Sequence, residues 1–448
     1  MRSSTLVSIG LLSVFLLTGY FHSAAQDQKI SNYDRDVAKN ILGFVEDDVR
    51  KHYYDPKYHG MNLDSRFAEA AKKIDSAPSL NVALSDVAAA IADLNDSHTF
   101  LMPPLRPYVH DYGWRMKFIG VGGAFITAVR PGSDAEKQGL KPGDQVLAVE
   151  GFSFTRNDFW KVYYVFWVLR PQPSLHLRLK SPDGKVREVE AKAYFRATKK
   201  TLDLTQDADS MQMLWDAERE EWFDRPRYAL LSNDIIVMKL ANFELNEDEV
   251  GAILGRIRSR PSLVLDLRGN PGGYVDAVAL FAGGLFDHEV KIADRVGRKP
   301  DKPLVAKSLR HYSGKIVVLI DSDSASGAEL LARVLQLNHR ATVIGDRSSG
   351  SVMQARTYMH SVGAESVVPF GVSVTDADMI MADGKSLEHA GVIPDTLMLP
   401  TASELQSGSD PAMAYAVQQA GGKITPEDAG KLFPAEWPPL STAVFGSH

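Results

Sequence analysis

The sequence has 448 residues, 44% hydrophobic and 24% charged, with a formal net charge of −6. That length exceeds one ordinary core and implies about two or three domains, while mild acidity without a basic patch or tail gives no basis for nucleic-acid binding. The absence of cysteine excludes disulfides, thiolate metal sites and cysteine nucleophiles, and the 12 histidines form no HExxH-type ligand spacing.

The chain opens with Met1-Arg2, an apolar run "LVSIGLLSVFLLTGYF" and the small residues "SAA" before Gln26. This pattern predicts a signal peptide over 1–25, with an uncleaved anchor as the rival, and an exported mature protein, periplasmic or extracellular. No later apolar run approaches ~18 residues, so no membrane span is expected after cleavage. Val37, Ile41, Val45 and Val49 repeat with helical spacing and predict a helix over 31–53, closed before Pro56. Further helices are expected over 64–76 and over "SLNVALSDVAAAIADL" (79–94), which runs into "NDSHTF". Residues 26–107 thus read as an N-terminal helical region.

From Tyr112 the texture turns to β. "WRMKFI" and "AFITAV" flank "GVGG", a hairpin pattern, and "RPGSDAEKQGLKPGDQVLAVEG" gives strand, turn, short helix, turn and strand. This stretch resembles a PDZ domain, over 108–197. The resemblance implies a module that adds a peptide strand to a sheet edge and holds its terminal carboxylate. "YGWRM" precedes the first hairpin strand where the family places its carboxylate loop, which makes Gly113, Trp114, Arg115 and Met116 candidate substrate-binding residues. "GVGG" reads instead as the turn between the two strands, and as a phosphate loop it is weak, since no helix N-terminus follows it. The aromatic run at 159–169 reads as helix and core of this module.

Residues 198–226 are polar and read as helical or linking. Strands then alternate with helices: "DIIVMKLANF", "SLVLDLR", "YVDAVALFAGGLF", "KIVVLID", "SGAELLARVLQLN" and "ATVIGD". That alternation argues for an α/β layer over 198–402. "DPAMAYAVQQAG" adds a helix within 403–448, and the last residues read as a loose tail.

Two turns in this layer can do chemistry. In "DLRGNPGG" (266–273) a strand runs into a glycine turn whose N–H groups can point outward, either as a tight βα turn or as one wall of an oxyanion hole. In "DSDSASGAE" (321–329) a serine stands at a helix start, as a cap or as a nucleophile favoured by the helix dipole. Asp266 and Arg268 read as a strand-end salt bridge holding the glycine turn, and Asp323 as a support for the second turn.

With "LNDSHT" before the PDZ-like stretch and "LEHAGVIPD" near the end, these motifs resemble the tail-specific, or C-terminal-processing, serine peptidases over about residues 30–400. The resemblance implies a helical N-terminal region, a PDZ β-rich module and a crotonase-like α/β peptidase domain. It maps the nucleophile to Ser326 and the oxyanion donors to Gly272 and Gly327. The branch using a lysine base has "GKG" where this chain reads "GDRSSGSVMQ", with Ser351 at the lysine position; Arg347 cannot serve as a base. The tricorn-like branch uses serine, histidine and glutamate, which map to Ser326, His98 and Glu388, with His389 a minor alternative for the base. The implied activity is serine endopeptidase action on polypeptides, with neither metal nor organic cofactor. The rival readings are a non-catalytic peptide- or apolar-ligand-binding protein and a PDZ scaffold.

Overall fold

The computed structural model describes residues 30–106, 108–197, 225–363 and 368–437. The expected leader and nearly all of the polar stretch 198–226 lie outside them.

Helix α1 (Asn32–His52) begins at a capping box, in which the Ser31 hydroxyl accepts from the Asp34 N–H and the Asp34 carboxylate answers Ser31. Its buried face carries Val37, Ile41, Val45 and Val49, as the spacing predicts. With α2 (Leu63–Ser76) and α3 (Leu80–Ala92) it forms a layer, but that layer does not close on itself. Its core continues into Leu101, Val362, Phe370, Val372 and Val374. Strand β1 (Phe100–Met102) pairs antiparallel with a strand far along the chain, Phe100 opposite Ser373. This pairing fixes the segment just before it, 95–99.

The β-rich module follows. Its elements are β2 (Tyr108–Asp111), β3 (Trp114–Ile119), β4 (Gly123–Val129), α4 (Asp134–Lys137), β5 (Gln145–Val149), α5 (Phe159–Tyr163) with a π-helical continuation to Leu169, β6 (Ser174–Lys180), β7 (Val186–Lys192) and β8 (Tyr194–Ala197). Five strands order as β3-β4-β5-β6-β7, so β3 is an edge, and β2 pairs with β8. The aromatic run 159–169 packs Phe159, Val162 and Phe166 into the module's own core, as expected.

The remaining chain builds two sheets. β9 (Arg227–Leu230), β10 (Ile235–Lys239), α6 (Glu247–Ile257), β11 (Ser262–Asp266), α7 (Val275–Gly283), β12 (Val290–Gly297), β13 (Leu304–Ala306), β14 (Lys315–Ile320), α8 (Gly327–Leu337), β15 (Ala341–Gly345), β16 (Met353–Val362), β17 (Val368–Met381) and β18 (Thr396–Leu397) run in order. The first sheet reads β18-β15-β14-β11-β10-β9, parallel except for β9. Of its central strands, β11 is buried throughout and β14 beyond Lys315, as sheets covered on both faces require. The second sheet is antiparallel, β1-β17-β12-β13 with β16 on β17. The sequence reading has no counterpart for the β16–β17 hairpin, whose burial is patchy along β16.

Beyond β18 the structure departs from the single helix and loose tail. Three short helices follow, α9 (Ala402–Ser407), α10 (Pro411–Gln419) and α11 (Pro426–Ala429); the last two cover the parallel sheet, with Met413, Ala416 and Val417 packed on Ile235, Val264 and Val317, while α9 buries no residue. Leu432 and Phe433 join the same core. The segment up to Trp437 is therefore docked, because its apolar side chains have a sheet face to bury. Among the described residues, no helix is long and apolar enough to cross a membrane.

Candidate functional site

The ends of β11 and β14 lie side by side in the parallel sheet, Asp266 opposite Leu319. The two turns that follow them therefore meet. The Ser324 hydroxyl donates to the Leu267 carbonyl (2.8 Å) and accepts from the Asp321 N–H (2.9 Å), while Ala325 N–H donates to the Asn270 carbonyl (2.9 Å). Ser324 is fully buried and joins one turn to the other.

Ser326 stands at the N-cap of α8 with φ 51° and ψ −115°, a region a non-glycine residue enters only under constraint. The Glu329 N–H donates to the Ser326 carbonyl (2.9 Å). The Glu329 carboxylate takes the Ser326 N–H (3.0 Å), shared with the Ser351 carbonyl (2.9 Å). Glu329 is completely buried and also accepts from the Ser348 hydroxyl (2.5 Å), Gly350 N–H (2.8 Å) and Ser351 N–H (2.9 Å). Burial outweighs these four donors and pushes its carboxyl up to about 7.

Across from Ser326 lies the segment before β1. His98 Nε2 is 3.3 Å from Ser326 Oγ, although 228 residues separate them. His98 Nδ1 is 2.7 Å from Ser97 Oγ, and Ser97 Oγ donates to Glu388 Oε2 at 2.9 Å. A serine has one hydroxyl proton. With that proton donated toward Glu388, Ser97 must accept from His98 Nδ1–H, which leaves Nε2 with a free lone pair toward Ser326. Burial holds the His98 imidazole below its ordinary value, against the pull of Asp96. Glu388 also accepts from the Ser97 N–H (2.8 Å) and the Val352 N–H (2.8 Å), and burial raises its carboxyl.

The segment is held from behind as well. Asp96 Oδ1 accepts from the N–H groups of His98 (2.9 Å) and Thr99 (2.8 Å) and from the Thr375 hydroxyl of β17 (2.6 Å). The N-terminal region, the hairpin and the parallel sheet thus each contribute to one constellation.

Of the residues that the motifs single out, Ser326, His98 and Glu388 are brought together, with Ser97 as a bridge that sequence reasoning missed; its one signal is a hydroxyl directly preceding the histidine. His389 points elsewhere, its Nε2 2.9 Å from the Asn95 carbonyl. Gly272 lies against the serine: a Cβ there would stand 2.6 Å from Ser326 Cβ and 2.7 Å from the Gly327 nitrogen, and its φ of 99° favours glycine. The Gly272 N–H, however, donates to the Asn270 side chain (2.8 Å) in this conformation. The Gly327 N–H opens α8, where the first turn has no intrahelical acceptor.

Gly113–Met116 behaves differently from the expected open loop, because Trp114 already begins β3. Gly113 N–H is taken by Asp111 (2.6 Å), Trp114 and Met116 are buried, and the Tyr163 hydroxyl donates to the Met116 carbonyl (2.9 Å) while accepting its N–H (3.3 Å). Only Arg115 projects outward, as strand alternation requires.

Charges under the turns tie the parts together. Asp266 and Asp410, the cap of α10, both hold Arg268, so the strand-end salt bridge extends to the C-terminal helices. Burial alone would raise the Asp266 carboxyl, but the flanking Arg268 and Lys239 cations prevail and hold it below its ordinary range. Lys117 of β3 pairs with Asp321, which also accepts from the Gly269 N–H of the glycine turn (2.9 Å). Asp323 pairs with Lys117 at 3.3 Å. Among the described residues no cluster of three His, Asp or Glu could hold a metal ion.

Residues 234–398, which carry both turns and Glu388, match Peptidase family S41. That part of the chain, with its two turns and Glu388, is similar to S41 peptidases. The chain is similar to the carboxyl-terminal-processing protease of Picosynechococcus, 26% identical over 60% of this chain, and spans 59% of that protein's length. It is also similar to the carboxyl-terminal-processing protease of Synechocystis, 25% identical over 69% of this chain and 68% of that one. Among solved structures, mature CPAF shares the fold at a TM-score of 0.60 and 16% identity, over 84% of this chain and 95% of that chain. The S41 match begins at residue 234, so His98 and the β-rich module lie outside it.

Proposed function

We propose that the protein is an exported serine endopeptidase of the histidine–glutamate type, acting on polypeptides whose ends its PDZ-like module engages. The observation that carries this reading is Ser326 Oγ 3.3 Å from a half-buried imidazole whose tautomer is fixed by Ser97 and Glu388.

In this mechanism Ser326 Oγ attacks the scissile carbonyl carbon while its proton passes to His98 Nε2. The imidazolium that forms is stabilised through Ser97, whose hydroxyl stands between it and the Glu388 carboxylate. The Gly327 N–H, at the positive end of α8, donates to the oxyanion. Gly272 N–H is the second donor once it exchanges its Asn270 partner for the oxyanion. His98 then returns its proton to the leaving amine, and the acyl-serine is hydrolysed by water with His98 again as the base. Ser351, at the lysine position of the other branch, offers only its backbone: its carbonyl accepts the Ser326 N–H at 2.9 Å.

Fluorophosphonate labelling of the mature protein, with and without an unfolded protein substrate, tests the reading. Labelling is expected on the wild type and lost in both Ser326→Ala and His98→Ala. Labelling that survives His98→Ala removes the histidine from the mechanism. Absence of labelling and cleavage under both conditions moves the protein to the ligand-binding class.

A further inference from the structure

The side chain that leaves β3 meets the end of the described chain. Arg115 donates to the Glu436 carbonyl (2.7 Å), and its guanidinium carbon lies 4.4 Å from the centre of the Trp437 ring. The Arg130 guanidinium lies over the same ring at 4.9 Å and pairs with Asp111, the residue whose carboxylate holds Gly113 N–H. The Glu436 carboxylate meets Arg225 and Arg227 at 3.4 Å each, and Arg227 also donates to the Pro434 carbonyl (3.1 Å). Four arginines from the β-rich module and the edge of the parallel sheet therefore converge on an aromatic ring and a carboxylate.

Such a gathering is costly unless something fills it. The crowding of protein around its head group, together with like charges on Arg130 and Arg227, weakens the hold of Arg115 on its proton, and Asp111 and Tyr163 offset them only in part. An indole face and an anion are the chemistry that relieves it, through cation–π and charge-assisted contacts. Residues 436–437 supply both. At the same end of β3, the Tyr163 hydroxyl occupies the backbone N–H and carbonyl of Met116, the ladder position that an added strand would use.

We infer that Arg115 and Arg130 form the receiving end of a site for a polypeptide segment with an aromatic side chain beside a carboxylate, and that residues 436–437 occupy it as an internal ligand that a substrate tail must displace. The inference rests on the reading of the module as a peptide-end receptor. It adds the chemistry of the end that is recognised and a built-in competitor. Two arginine–ring contacts and the accompanying ion pairs set the competitor's strength, so removing the ring raises the apparent affinity for an outside peptide on the order of tenfold.

The test uses the full chain carrying Ser326→Ala, so that bound peptide is not cut. The probe is a fluorescein-labelled peptide of sequence KLFPAEW with a free terminal carboxylate, followed by anisotropy. Trp437→Ala is expected to lower its Kd on the order of tenfold, Trp437→Phe to stay near the parent, and Arg115→Ala added to Trp437→Ala to reverse the gain. Equal or weaker binding in Trp437→Ala, no effect of Arg115→Ala, or no binding to any variant overturns the inference. Labelling of Ser326 in the otherwise unaltered chain separates the two readings. If it persists while the peptide does not bind, the inference falls alone. If it is absent while displacement behaves as described, the peptidase reading falls and the site stands.

Discussion

Ser97 shows how much of the site depends on a residue that touches no reacting atom. Its hydroxyl links imidazole to carboxylate, 2.7 Å from one and 2.9 Å from the other. Ser97→Ala is expected to lower kcat on the order of 100-fold with little change in KM, because the imidazole loses the group that fixes its tautomer. Equal kcat values for wild type and variant in steady-state cleavage of an unfolded protein would remove Ser97 from the relay. The pH profile follows from the same environment. Burial penalises the imidazolium form of His98, so the neutral base persists to lower pH than an ordinary histidine allows. The acid limb of kcat/KM is accordingly expected below pH 6.5, and a limb above that value contradicts a desolvated histidine base.

At the scale of elements, Glu329 holds α8 to the 348–351 loop through four donors, one of them the Ser326 N–H. A glutamine has one acceptor oxygen, so Glu329→Gln leaves buried donors unpaired at a cost of about 1–3 kcal/mol. Its pH dependence has a definite sign. The folded-state carboxyl titrates near 7 against an ordinary 4.5, so the folded protein binds the extra proton between those values. Stability from this group is present below about 4.5 and is lost as pH rises through 7. Urea midpoints should therefore show the margin of wild type over Glu329→Gln narrowing from about pH 5 to about pH 8, and a widening margin refutes the assignment.

Elements also show what the sequence could and could not disclose. The glycine turn, the serine at the helix start and the buried parallel strands are legible because each is a local pattern: an apolar run, a glycine cluster, a cap. Four such patterns in order point to Ser326, His98 and Glu388 together. Ser97, Glu329 and the β16–β17 hairpin are not legible. Their roles depend on partners far along the chain, as with Thr375 across from Asp96, or Val372 opposite Leu101. The stretch Gly113–Met116 reads as a loop because Gly113 ends a turn, whereas the cross-strand partner Val129 draws Trp114 into β3. The C-terminal segment reads as loose because its apolar residues are few. A sheet face that offers Ile235 and Val317 is what makes Leu432 and Phe433 bind.

Over the whole molecule, the β-rich module is bolted to the turns around Ser326 rather than tethered beside them. Lys117 of its edge strand pairs with Asp321 and Asp323. Arg156 pairs with Asp346 (3.0 Å), and Asp346 also takes the Gly120 N–H (2.8 Å). Lys117→Ala is expected to leave Asp321 largely buried without its cation, at a cost on the order of 3 kcal/mol, and to loosen the Gly269 turn that Asp321 holds. Calorimetry should show a lower Tm together with reduced labelling of Ser326. A fall in Tm without loss of labelling would mean that the turn keeps its shape unaided.

Glu388 is the last of the four bridging residues in the chain, after Ser97, His98 and Ser326. On the proposed mechanism, a polypeptide still being synthesised carries nucleophile and base long before it carries the acid that orients them. The helical region, moreover, buries its core against Val372 and Val374, which also come late. On that mechanism, a growing or truncated chain that lacks Glu388 is expected to hold its serine and histidine without the group that orients them.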